Sequence, residues 1–147
     1  MSDHSSLKER ASFELWTPVQ VRYRDLDMMG HVNHAVIVTF FESARDAVMG
    51  KLARRPGSGF VLGDLHVRYL AEIHLRDDVR IGTRVTHVGA RSFTLGQGLF
   101  VGEVCAATCL GTEVHIDTGT RRAAALTADF IAVLERYSQP GPRPVDR

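Results

Sequence analysis

Four side chains able to take part in acid–base or acyl chemistry fall in one short run, Asp25-Leu26-Asp27-Met28-Met29-Gly30-His31-Val32-Asn33. A carboxylate such as Asp27 can take a proton from water or attack a carbonyl carbon directly. Either step drives negative charge onto the carbonyl oxygen, which then needs hydrogen-bond donors. The first backbone N–H groups of a helix lack intrahelical acceptors and carry partial positive charge, so they are such donors. A carboxylate on a loop just ahead of a helix is thus the minimum equipment for acyl transfer. The same residue types also serve as plain turn and cap residues. Residue chemistry by itself leaves both readings open.

The flanking elements must position this run. Phe13 to Arg24 carries Trp16, Val19, Val21 and Tyr23 in imperfect alternation and predicts a strand, with Pro18 bending it or placing it at an edge. Asp25 to Gly30 breaks that pattern as a loop. His34 to Leu52 opens on apolar β-branched residues, yet it is too long for one strand, and Ile37, Phe41, Ala44, Val48 and Leu52 recur at helical spacing behind the favoured N-cap Asn33. An unusually apolar helix is expected there, buried against a sheet. A glycine-rich break, Arg54 to Gly59, follows.

Beyond it the period is two. Leu65, Val67 and Tyr69 share a face, as do Val79, Ile81 and Val85; Phe93, Leu95, Leu99 and Val101 continue, and Val104 to Ile116 is the last and longest strand. The breaks at His74 to Asp78, Gly89 to Arg91 and around Gly102 suit antiparallel hairpins. Leu126, Phe130, Val133, Leu134 and Tyr137 form a short amphipathic helical stripe. The expectation is an α+β domain, one antiparallel sheet of about five strands wrapped around a long central helix. Residues 13–138 would form that single domain, with a flexible N-terminus at 1–12 and a disordered tail at 139–147. An unpaired sheet edge favours self-association.

Composition narrows the classes. The 147 residues are 24% charged and 44% apolar with a formal net charge of +1, an ordinary globular balance with no field to draw nucleic acid or an anionic membrane. No apolar run approaches the roughly 20 residues that span a bilayer, and the start of the chain lacks a secretory signal, so a cytoplasmic location is expected. Cys105 and Cys109, evenly spaced in a strand, are expected on one face as free structural thiols. The seven histidines show no close metal-ligand spacing.

The run continued to ten residues, Asp25-Leu26-Asp27-Met28-Met29-Gly30-His31-Val32-Asn33-His34, closely resembles the Asp-x-Asp-x-x-Gly-His-Val-Asn-Asn stretch of hot-dog thioesterases of the 4-hydroxybenzoyl-CoA and acyl-CoA type. Val21-Arg22-Tyr23-Arg24 before it, Phe40-Phe41-Glu42-Ser43-Ala44-Arg45 after it, and the stretches Val67-Arg68-Tyr69-Leu70, Asp78-Val79-Arg80-Ile81 and Val88-Gly89-Ala90-Arg91-Ser92 extend the likeness over about residues 13–117. The resemblance implies a hot-dog fold and hydrolysis of a fatty-acyl or aryl-CoA thioester. It places the catalytic carboxylate at Asp27, a structural acid at Asp25, and the carbonyl-polarising backbone N–H at about His34. His31 shares in the chemistry or fixes the loop; Asn33 caps the helix or orients the carboxylate; Gly30 admits the thioester. Glu42 is read as structural, paired with Arg45 one turn on.

Further implications concern substrate and partners. The acyl pocket would lie between two subunits and be lined partly by Tyr23, Met28, Met29, Phe40 and Phe60, in a homodimer or homotetramer. Arg91 and Ser92 would meet the coenzyme A phosphates, with Arg54 and Arg55 as second choices. No cofactor and no metal is expected. Two departures stand out: His34 replaces the second asparagine, and Leu70-Ala71-Glu72-Ile73 lacks the usual proline after Tyr69. The rival readings are a hot-dog hydratase or dehydratase and a non-catalytic acyl-CoA binding or regulatory module.

Overall fold

Asn33 starts the element that organises the molecule. Its side-chain Oδ1 accepts the Ala35 N–H at 2.8 Å, and its carbonyl accepts the Ile37 N–H at 3.1 Å, so the chain turns into helix α1 over His34–Leu52. In this computed structural model, which describes residues 3–52 and 56–138, α1 buries Ile37, Phe40, Phe41, Ala44 and Val48, a stripe at steps of three and four.

That stripe lies on one face of a five-stranded antiparallel sheet. The strands are β1 (Leu15–Val19), β2 (Ser58–Tyr69), β3 (Val79–Val88), β4 (Ser92–Val101) and β5 (Val104–Asp117), in the order β1-β3-β4-β5-β2. α1 therefore carries the chain from one edge to the other, and residues 70–78 carry it back. A second helix, α2 (Ala128–Arg136), is capped by Thr127, whose Oγ1 accepts the Phe130 N–H, and it packs Phe130 and Leu134 on Val85, Phe93 and Leu95. No described helix is long and apolar enough to cross a membrane.

Several expectations are corrected here. The first strand ends at Val19, and the chain then enters a 3₁₀ turn over Tyr23–Asp25, where the Arg22–Asp25 hydrogen bonds replace sheet pairing. Pro18 is tolerated because β1 is an edge. β2 begins at Ser58, inside the expected break. His74 to Asp78 belongs to no hairpin, since β2 pairs with β5 while β3 lies between β1 and β4; a short link says nothing about which strands it joins.

A bulge overturns the shared face of the cysteines. Leu99 pairs with Ala107 but Phe100 pairs with Cys105, so Ala106 is an extra residue and the alternation slips by one. Cys109 faces the α1 core, whereas Cys105 packs on the opposite side with Leu7, Phe13 and Phe100. Both thiols are free.

Nor do residues 3–12 behave as a flexible arm. They cross the sheet face opposite α1, with Leu7 and His4 buried and short 3₁₀ turns over Ser6–Lys8 and Arg10–Ser12. Gly96 admits this strap, because a Cβ there would meet Leu7 Cδ2 at 2.7 Å and Thr86 Cγ2 at 2.6 Å. Residues 139–147, Arg54 and Arg55 lie outside the described residues.

Candidate active site

The loop between β1 and α1 is held at both ends by backbone bonds. Asn33 N–H donates to the Asp25 carbonyl at 2.9 Å, Asp27 N–H to the His31 carbonyl at 3.0 Å, and Gly30 N–H to the Asp27 carbonyl at 3.1 Å. Gly30 sits at φ +82°, a conformation that favours glycine. The returning segment docks against it, with Val32 N–H donating to the carbonyl of buried Ile73 at 2.8 Å.

Asp25 is an anchor. It is buried, and the Arg22 guanidinium donates to it from Nε at 3.3 Å and from NH2 at 3.1 Å, while the Arg22 backbone N–H adds a third bond at 2.8 Å. Burial alone would raise this carboxyl, but the Arg22 bonds outweigh it and hold the group below the ordinary carboxylate range.

Asp27 is arranged differently. Its Oδ1 accepts the Met29 N–H at 2.9 Å, which fixes the carboxylate plane, and its Oδ2 lies 3.9 Å from His31 Nδ1. The side chain is about one quarter exposed. It lines a cleft of about 350 Å³ together with His31, Val32, His34, Ile37 and Tyr69 to Ile73. At the helix start, Asn33 takes the Ala35 N–H, while the His34 N–H has no acceptor among the described residues. Tyr69 donates its hydroxyl to the His34 carbonyl at 3.0 Å and packs edge-on to the His34 ring.

The residues expected to bind substrate divide into separate groups. Asp27, His31 and His34 share the cleft, with Gly30 and Asn33 in its supporting loop and cap. Tyr23, Met28 and Met29 stand almost wholly in solvent and enclose nothing within one chain. Phe40 is in the α1 core. Phe60 stacks on Phe93, Phe130 and His115, and it lies nine residue steps from Tyr69 along β2, about 30 Å of strand. Arg91 ends the β3–β4 turn and Ser92 opens β4 at that same far end, where Ser92 pairs with Val114.

The expected Glu42–Arg45 pair is replaced. Arg45 is buried, with Nε 3.4 Å from Glu113 and NH1 bonded to Gln97 Oε1 at 3.2 Å, while Glu42 is exposed. Helical spacing permits the pair, but a β5 carboxylate beneath the helix is better shielded from water. Burial raises the Glu113 carboxyl, and Arg45 opposes that rise. Sequence reasoning missed Glu72, whose Oε1 lies 3.9 Å from His31 Nε2. Its only signal was its place in the proline-less stretch after Tyr69.

This loop-and-helix arrangement on a sheet-wrapped helix defines the hot-dog thioesterase class of fold, and comparisons with known proteins agree. The profile described as the thioesterase-like superfamily matches residues 21–134, and the chain belongs to that family. A thioesterase from Thermus thermophilus, solved with coenzyme A and Zn, is 29% identical and superposes with a TM-score of 0.78 over 86% of this chain and 96% of its own. The PA5185 protein of Pseudomonas aeruginosa PAO1, 19% identical, shares the fold at a TM-score of 0.80 over 90% of this chain and 97% of its own. The uncharacterized protein YsmA of Bacillus subtilis strain 168 is 29% identical over 102 residues, 65% of this chain and 69% of its length.

Proposed function

We propose that the protein hydrolyses the thioester of a fatty-acyl or aryl-CoA, with Asp27 as general base or nucleophile. The observation that carries this reading is that the Asp27 carboxylate and the open N-terminus of α1 face one cleft. As a base, Asp27 takes a proton from water while the water oxygen bonds to the carbonyl carbon. As a nucleophile it forms a mixed anhydride that water then cleaves. In both routes the carbonyl oxygen becomes anionic against the His34 N–H, the C–S bond breaks, and the thiolate leaves and is protonated. The coenzyme A bound to the Thermus protein supports the substrate class.

Assembly completes the site in this reading. β2 is an unpaired edge with Val61, Leu62 and Tyr69 exposed along it. Antiparallel pairing of two β2 strands about their middle, near the bulge at Gly63, sets the Phe60 end of one chain beside the Tyr69 and His34 end of the other. Phe60, Arg91 and Ser92 would then serve the neighbouring cleft, and exposed Met28 and Met29 would be covered. A panel of acyl-CoA and aryl-CoA thioesters assayed for free thiol is the test. Release from at least one class supports the proposal; binding without release indicates a non-catalytic module, and hydration without release indicates a hydratase.

A further inference from the structure

The sheet face opposite α1 holds a second, larger cavity of about 540 Å³ beneath the N-terminal strap. Two adjacent rows of cross-strand partners build it. One runs His66, Leu110, Gly96, Arg84, and the next runs Asp64, Thr112, Thr94, His87.

Arg84 is the unusual member. Its NH2 donates to Ser6 Oγ at 2.6 Å, but its Nε is buried and has no acceptor among the described residues. Asp3 forms no ion pair with it; the Asp3 Oδ1 accepts the backbone N–H and the hydroxyl of Ser5 instead. Burial lowers the guanidinium pKa from its ordinary value, with Asp3 opposing only at a distance. The guanidinium is half-buried with one neutral partner, so its remaining donors are available to an oxyanion at its fork.

A hydrogen-bond chain sets the tautomer of a second side chain on the lining. Thr108 Oγ1 lies 2.6 Å from His4 Nδ1, and His4 Nε2 lies 2.7 Å from His66 Nδ1. When Thr108 donates to His4 and His4 to His66, the neutral His66 carries its proton on Nε2. His66 lines the cavity, as do Thr94 and Thr112, whose hydroxyls bond each other at 3.0 Å.

We propose that this cavity binds a small polar molecule through one oxyanion, a carboxylate or phosphate, held by Arg84 and His66. The site is separate from the Asp27 cleft and does not depend on thioester hydrolysis. Its volume suits a metabolite-sized ligand rather than a bare ion. Asp3 and Asp64, both exposed on the same lining, repel multiple negative charge. They select a single anionic group on a hydroxylated or amino-bearing body.

Amide NMR of the full chain, titrated with inorganic phosphate or gluconate against chloride at equal ionic strength, tests this. Saturable shifts centred on the His66, Thr94 and Thr112 amides are expected with at least one probe, undiminished in Asp27→Asn and weakened at least about tenfold in Arg84→Gln. Saturation by phosphate alone assigns a phosphorylated ligand, and by gluconate alone a carboxylate. No saturable shift at those amides with either probe, or equal affinity in Arg84→Gln, overturns the site. Should Arg84→Gln not fold, the wild-type titration decides.

Discussion

Nδ1 of His31 stands 3.9 Å from Oδ2 of Asp27, and Nε2 of the same ring stands 3.9 Å from Glu72. Both separations exceed hydrogen-bond length, and the closer partner of Nδ1 is the Val32 carbonyl at 3.3 Å. The imidazole is an electrostatic neighbour of the carboxylate and does not orient it; the Met29 N–H does. Replacing His31 by Gln is therefore expected to lower kcat by less than about tenfold, against a hundredfold or more for loss of the Asp27 charge. Steady-state kinetics on the two variants checks the difference.

Asp25 should matter to stability and not to the chemical step directly. Asp25→Asn removes the negative charge and turns one of the two oxygens that accept from Arg22 into an NH2 donor, and is expected to cost about 1–3 kcal/mol at neutral pH. The folded carboxyl titrates below its unfolded value of about 3.9, so its contribution is complete above that pH and is lost as pH falls through the lowered folded pKa. Urea midpoints of wild type and Asp25→Asn, measured from about pH 7 down to about pH 3, should converge at the acid end.

Arg45 and Glu113 form a buried couple that fastens α1 to β5. Arg45→Met strands the carboxylate and is expected to cost about 3–5 kcal/mol. The Arg45→Met, Glu113→Gln double variant should lose less than the two single losses combined, which a double-mutant cycle in denaturant measures.

The strap makes its own prediction. Leu7 is wholly buried against the sheet, so Leu7→Ala should destabilise the fold by about 2–5 kcal/mol, whereas a flexible arm would tolerate it without change. Denaturant midpoints distinguish the two.

What could be read in advance was local. The bounds of α1 follow from Asn33 and a helical stripe, and the Asp25 to Asn33 run marks its own loop. Strand order, the bulges at Gly63 and Ala106 and the split of Phe60 from Tyr69 depend on pairing across the sheet, which periodicity does not encode. Leu7 was missed because one apolar residue in a polar stretch has no period, and its seat exists only where Gly96 lacks a side chain. Glu72 reaches His31 only because the chain recrosses the molecule between β2 and β3.

The central claim rests on Asp27, and Asp27→Asn tests it most directly. Assayed for thiol release on the acyl-CoA that the wild type turns over fastest, the variant should keep the wild-type denaturation midpoint and lose at least about a hundredfold in kcat. A folded Asp27→Asn protein that turns over at the wild-type rate would contradict the mechanism.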